Sequence, residues 1–267
     1  MRLVRSSESA VPQAGDTEAN TAAPADSEPS SESEAADAEP SLQPTSFTDL
    51  DQAPEELRPY ITDLAKLGVI GAAEGDRFDP NAAISRRTFA QWLLAANNAL
   101  YANQSAQRLR RAQPGATPVF EDVPADAEGF TAIQGLAEAG IIPSPLLGEG
   151  GSPQFRPTDP LTREALLLWK VPLDVRKSLP AASVDAVRER WGFQDAAAIS
   201  PEALRAVLAD YENGDLSNIR RSLGYTTLFQ PQKPATRAEA AAALWYFGTQ
   251  GKGVSAENAL ERKSDSE

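Results

Sequence analysis

The stretch Phe229-Gln230-Pro231-Gln232-Lys233-Pro234-Ala235-Thr236-Arg237-Ala238-Glu239 is the key to the architecture, because two other segments carry its skeleton in the same register. Phe78-Asp79-Pro80 leads to Ser85-Arg86, and Phe155-Arg156-Pro157 leads to Thr162-Arg163; in all three the Arg follows the Phe by eight residues. Upstream stand Phe47-Thr48-Asp49, Phe120-Glu121-Asp122 and Phe193-Gln194-Asp195, each offset by 73 residues from the one before. A register held three times marks an internal repeat, and any function belongs to the repeat.

Each copy has room for a pair of helices. Leu57, Tyr60, Ile61, Leu64, Ala65 and Leu67 recur at helical spacing with Gly68 at the stop, and Ser85 is the expected cap of a second helix carrying Phe89, Trp92, Leu93, Ala96 and Leu100 on one face. The second copy repeats the order with Ile133, Leu136 and Ala137, then Thr162 opening a helix that Pro172 is expected to end early. In the third, Ser200-Pro201 starts a helix, a shorter one follows Asp215, and Thr236 opens the last. No stretch alternates with period two, so the fold class is all-α, three tandem helix–loop–helix repeats with short loop strands at most. A single copy has too small an apolar face to stand alone. Equivalent copies bury those faces as a pseudo-threefold cluster or a short solenoid.

The boundaries follow: an acidic leader over 1–46, copies over 47–103, 120–170 and 191–248, a solvated linker over 104–119, an insertion over 171–190, and a disordered tail over 249–267. The chain has 38 acids against 25 bases, a net charge of −13. Nine of those acids and only Arg2 and Arg5 fall in the leader, which has no aromatic residue and too little apolar surface to offset the entropy of ordering. An acidic chain with no basic stripe argues against nucleic acid and anionic membranes. With no Cys and no His, thiolate chemistry and the commonest base and metal ligand are excluded. No apolar run approaches the roughly 20 residues of a spanning helix. Met1-Arg-Leu-Val-Arg lacks the apolar stretch of a secretory signal, so either the protein stays inside or an export signal or lipid anchor lies upstream of this sequence, and an acidic spacer before folded repeats favours the second, an envelope protein.

Phe-x-Asp, an apolar helix, Leu-Gly-Val, then Phe-x-Pro and Thr-Arg-Ala-Glu is the pattern of the S-layer homology module. The chain resembles three tandem copies of it over residues 47–248, with Thr236-Arg237-Ala238-Glu239 unaltered. The resemblance implies a three-pronged helical prism that binds cell-wall-linked polysaccharide, often bearing pyruvate ketals, in grooves between prongs lined by the tetrad Arg. Copy one departs, with Thr88 in the Glu place, and so does copy two, with Glu164 one place early. Those degraded tetrads favour an alternative, a structural or adaptor protein that uses the scaffold for protein contacts.

Arg86, Arg163 and Arg237 admit two readings. A cation at a helix start opposes the macrodipole, so each Arg either receives an anion such as a ketal carboxylate or pairs with an acid of the neighbouring copy. Asp49, Asp122 and Asp195 are the expected partners for the second reading, or else hold loops. Thr236 with Glu239 forms a capping box. Trp92, Trp169 and Trp245 are core residues, while Tyr60 and Tyr225 flank loops and are candidates for stacking on a sugar, Tyr60 also fitting the core. No catalytic group, cofactor or metal is expected: Asp210-Tyr211-Glu212-Asn213-Gly214-Asp215 looks like a calcium loop, but its Gly falls at the fifth place and no Glu closes it.

Overall fold

A computed structural model describes residues 46–148 and 151–265. The leader, Ser46 apart, lies outside the described residues. The helices in chain order are α1 (Arg58–Lys66), α2 (Arg86–Leu100), α3 (Phe130–Glu138), α4 (Arg163–Val175), α5 (Val184–Trp191), α6 (Pro201–Asp210), α7 (Asn218–Leu223), α8 (Arg237–Leu244) and α9 (Ala256–Ser264). Among the described residues the sheet content is one two-residue hairpin, β1 (Tyr246–Phe247) against β2 (Val254–Ser255). The fold is therefore mostly α, and no helix among the described residues is long and apolar enough to cross a membrane.

Short polar side chains start the helices as the spacing predicts. The hydroxyls of Ser85, Thr162 and Thr236 accept the amides of Thr88, Ala165 and Glu239 at the starts of α2, α4 and α8. Each satisfies one of the amides a helix start leaves unpaired. Gly68 and Gly140 end α1 and α3 at φ 69° and 70°, a left-handed turn that a side chain resists.

The residues just before the three caps join the copies. Ile84 donates its amide to Ala235 (3.0 Å), Ala235 to Leu161 (2.8 Å) and Leu161 back to Ile84 (2.9 Å), so three backbone bonds close a ring that uses one residue from each copy. All three side chains are fully buried. A second tier surrounds the ring: the amides of Arg86, Arg163 and Arg237 donate to the carbonyls of Asp159, Lys233 and Ala82 at 2.9–3.0 Å. Buried amides in irregular loops need partners, and here they come from the loop of a neighbouring copy.

Two expectations are corrected. Pro172 does not end α4, which continues to Val175. Val171, Leu173 and Asp174 are buried there, so packing overrides the helix-breaking ring. The tail is not frayed over its described part: β2 pairs with β1, Ser255 and Asn258 cap α9, and α9 lies against α1 and α2 with Ala256 and Ala259 buried. The 104–119 linker is mostly exposed, as expected, and is also strapped down, with Asn98 holding both the amide and the carbonyl of Leu109, and the amide of Ala112 donating to Thr131. Gly135 lets α3 approach it so closely that an added Cβ would sit 2.4 Å from the Arg110 carbonyl.

Beneath α4, α6, α7 and β1 lies a buried charge cluster. Lys170 donates to Asp174 and to the Tyr246 carbonyl; Asn218 donates to Asp174 and Asp210, both at 2.8 Å; Arg221 donates to Asn218 and to the carbonyls of Ala242 and Ala243 at 3.0 Å. The Asp210 carboxylate, which looked like part of a calcium loop, accepts the amides of Asn218 and Ile219 and so starts α7. Burial pushes the Lys170 ammonium down, against the pull of Asp174, and pushes the Asp210 carboxyl up.

Candidate functional site

Each Phe-x-Asp carboxylate holds the downstream loop of its own copy. Asp49 accepts the amides of Phe78 and Asp79 (2.8 and 2.9 Å), Asp122 those of Phe155 and Arg156 (2.7 and 2.6 Å), and Asp195 those of Phe229 and Gln230 (2.9 and 2.6 Å). The paired phenyl rings pack as well, Phe47 on Phe78, Phe120 on Phe155 and Phe193 on Phe229, with centroids 4.9–5.6 Å apart. Burial raises the Asp49 carboxyl, but the two loop amides, its own amide and Arg77 outweigh it and leave the group below its ordinary value. The aspartates are loop clamps, not the partners of the repeated arginines. In each loop the clamped residue after the Phe has a left-handed backbone: Asp79, Arg156 and Gln230, at φ 52°, 57° and 54°.

Onto each clamped loop the preceding copy lays its helix-start arginine. Arg86 donates from Nε to the Phe155 carbonyl (2.7 Å), Arg163 from Nη1 to that of Phe229 (3.2 Å), and Arg237 from Nε to that of Phe78 (2.6 Å). The equivalent bonds run from copy one to two, two to three and three to one. The helix-start amides, expected to help hold an anion, are already taken by carbonyls of the neighbouring loop, as at Arg87 to Pro157, Glu164 to Pro231 and Ala238 to Pro80. Those carbonyls also offset the positive end of each helix, which is why an arginine is tolerated there.

Equivalent in position, the three arginines differ in company. Arg163 is neutralised: Nη2 and Nε donate to Glu239 of copy three at 2.6 and 3.3 Å, and Nη1 also meets Gln230 at 3.1 Å. Pairing with an acid of the neighbouring copy therefore holds there, with Glu239 as the acid. Arg237 makes a second bond, Nη2 to the Gly71 carbonyl (2.9 Å), and is 8% exposed. Arg86 has its Nε bond alone, and among the described residues its terminal nitrogens have no protein partner. Arg86 lies over the rings of Phe155 and Trp169 (5.0 and 4.8 Å), and Arg237 over Phe78 and Trp92 (4.8 and 4.7 Å). In copy three the residue six past the Arg is Ala243 and offers no such ring. Burial pushes both guanidinium groups down to about 10; at Arg86 a second cation, Arg156, adds to this while Asp159 and Asp122 oppose it, and at Arg237 Asp79 and Asp49 oppose it.

The two tyrosines stand apart from these arginines. Tyr60 is half-buried with its ring 5.1 Å from Trp245, a packing contact between copies. Tyr225 is 83% exposed, its hydroxyl donating to Asp215 (2.9 Å) and its ring 5.1 Å from the Arg220 guanidinium. Thr236 and Glu239 form the expected capping box, and Glu239 carries the ion pair to Arg163 in addition. Sequence reasoning missed Trp92 and Trp169 as rests for guanidinium groups and gave Arg156 no role. The signal was present in the residues at Phe+1 and Arg+2, which differ between copies while the Phe, the Pro and the Arg themselves repeat.

This geometry agrees with the comparison against protein families. Residues 46–90 match the S-layer homology domain. The matched segment spans the Asp49 clamp, α1 and the start of α2 with Arg86. The chain therefore carries an S-layer homology domain, a non-catalytic module of cell-envelope anchoring that commonly engages wall polymers. No curated protein matches the chain.

Proposed function

We propose that residues 47–248 are three S-layer homology repeats, closed head to tail as a pseudo-threefold helical prism, that tether the protein non-covalently to anionic, pyruvylated wall polysaccharide. The observation that carries the reading is the cyclic set of arginine-to-loop contacts, because residues 46–90 match the family and copies two and three reproduce the clamp and arginine bonds of the matched segment. Two of the three guanidinium groups face no carboxylate of the kind that neutralises Arg163. A ketal carboxylate supplies that missing charge. The protein is an envelope accessory with no catalytic role in the repeats.

The test is retention on purified wall sacculi, with and without chemical removal of the ketal. Loss of retention on depyruvylation, and in the Arg86→Ala, Arg163→Ala, Arg237→Ala triple variant, is the expected result. Retention indifferent to both overturns it. A second reading, an adaptor whose repeats contact protein, is favoured at the junction of copies two and three, where Arg163 is spent on Glu239 and Leu166, Leu167, Ile219 and Leu223 line a nearly filled crevice. A specific protein co-purifying without wall retention selects it.

A further inference from the structure

A cavity of about 470 Å³ lies where the insertion between copies two and three, the end of α6 and the turn of the β1–β2 hairpin meet. No helix-start arginine and no clamped loop lines it. Its volume is in the range of small-molecule sites, roughly 300–1,000 Å³. Val175, Pro180 and Ala209 give it an apolar side. Its walls are tied to one another. Arg205 of α6 holds the insertion, donating from Nε to the Pro180 carbonyl (3.1 Å) and from Nη2 to that of Leu179 (2.5 Å). Buried Asn213, just past α6, holds the hairpin by donating to the Gly248 carbonyl (3.2 Å) and accepting the Gln250 amide (3.1 Å). Gln250 in the wall and Arg176, next to Lys177, have left-handed backbones at φ 51° and 50°, a conformation that persists only where the surroundings enforce it. Asn213 does so for Gln250, while Arg176 is fixed by its bond to Asn97 (2.7 Å) and its place over the Tyr101 ring (4.7 Å).

The cavity also holds two opposite charges that do not meet. Lys177 and Glu212 both line it, yet among the described residues Lys177 has no ion-pair partner and Glu212 meets only Arg190, at 3.5 Å with both side chains more than half exposed. Ser178, Thr249 and Gln250 add side-chain hydroxyl and amide groups that, among the described residues, bond to no protein group. We propose that this cavity binds a short zwitterionic peptide, with Lys177 receiving its carboxylate and Glu212 its ammonium group. A cation and an anion held apart across one cavity are complemented by a ligand with the reverse dipole. A simple anion, or a glycan with one carboxylate, answers Lys177 alone, and an uncharged sugar answers neither. A peptide of two or three residues places its two ends about 7–10 Å apart and lays small side chains on the apolar side. The insertion thus adds to the repeats a site that no copy carries by itself.

The test titrates trialanine into the full chain at low ionic strength, where exposed charges act most strongly, and follows the backbone amide signals of Thr249 and Gln250. Wild-type protein is expected to show saturable shifts. Affinity is expected to fall about three- to fivefold for trialanine amide, which lacks the carboxylate, and for N-acetyl-trialanine, which lacks the ammonium group. Lys177→Met is expected to bind trialanine and its amide alike, and Glu212→Gln to bind trialanine and its N-acetyl form alike, each at the weakened level. Both side chains are exposed, so the melting temperature of either variant is expected to match wild type. Trialanine that shifts neither signal, or blocked peptides that bind wild-type protein as well as trialanine does, overturns the proposal. So does discrimination that persists unchanged in both variants. Retention on sacculi is expected to be the same for both variants and wild type, so this proposal and the wall-binding reading fail separately.

Discussion

Two polar regions of the molecule answer the same problem with different mixtures of backbone and charge. Around the inter-copy ring, the repeated charges are matched to backbone, with Glu239 added at Arg163: a carboxylate takes two amides, a guanidinium takes a carbonyl, and the pattern recurs in all three copies. Beneath α4, α6 and α7, Lys170, Asp174, Asp210 and Arg221 are all buried, Lys170 pairs with Asp174, Asn218 links Asp174, Asp210 and Arg221, backbone amides and carbonyls complete Asp210 and Arg221, and the arrangement occurs once. The second region is the more fragile. A carboxylate on amides loses a bounded amount when removed, whereas an ion left alone in the interior bears the full cost of its desolvation.

The largest expected effect comes from disrupting the buried cluster unequally. Lys170→Met strands the Asp174 carboxylate and is expected to cost about 3–5 kcal/mol in urea unfolding of the full chain. Lys170→Met with Asp174→Leu removes both ions and is expected to recover most of that loss, which a double-mutant cycle measures directly. A double variant as unstable as the single one would show that the cluster is held by its bonds to Asn218 and the Tyr246 carbonyl, not by charge pairing.

The ring clamps come next. Asp49→Ala, Asp122→Ala and Asp195→Ala are each expected to cost about 1–3 kcal/mol by leaving two loop amides unpaired, with Asp49, the most buried, at the top of the range. The three share no hydrogen-bond partner, so their costs are expected to add. Acid separates the two regions further. The folded Asp49 carboxyl lies below its unfolded value of 3.8, so its contribution is whole above that pH and is lost as pH falls through the folded value. Asp210 has the opposite sign, since burial raises it and its charge costs stability above 3.8. The melting temperature is expected to drop below about pH 4, with a shallower drop in Asp49→Asn.

The ring side of this comparison was largely legible in the sequence, and the cluster was not. Phe-x-Asp, Phe-x-Pro and the Ser/Thr–Arg pair each serve backbone groups at fixed chain distances, so repetition exposes them. The caps of α2, α4 and α8 and the core faces of α1 and α2 follow from the same spacing. Lys170 and Asp174 are an i,i+4 pair on α4, but Asn218, Arg221 and the Tyr246 carbonyl reach them only after folding, and a local pair of that spacing looks the same as one on a solvated face. Pro172 and the tail misled for a related reason: propensity and polarity speak for isolated segments, while Leu173 and Ala259 are decided by what packs on them. At the site, the repeated arginines were visible as a set, but their division into neutralised and open members depends on a contact across copies.

The smallest effects concern the caps, where the two regions can be compared inside one motif. Thr162→Ala removes a single bond to the Ala165 amide and is expected to cost about 0.5–1 kcal/mol, whereas Thr236→Ala also disturbs Glu239, which returns a bond to the Thr236 amide at 3.2 Å, and is expected to cost about 1–2 kcal/mol. Glu239→Gln then separates the glutamate's two duties, because an amide oxygen still accepts from the cap while the charge opposite Arg163 is gone. If the extra cost at Thr236 is the box alone, Thr236→Ala costs the same in wild-type and Glu239→Gln backgrounds. If the cap also positions the ion pair, its cost falls in the Gln background, and thermal melts of the four proteins in that cycle tell the two apart. The second outcome would make the α8 start a joint between the two kinds of polar region, since the carboxylate that serves backbone there is also the one that closes the Arg163 junction.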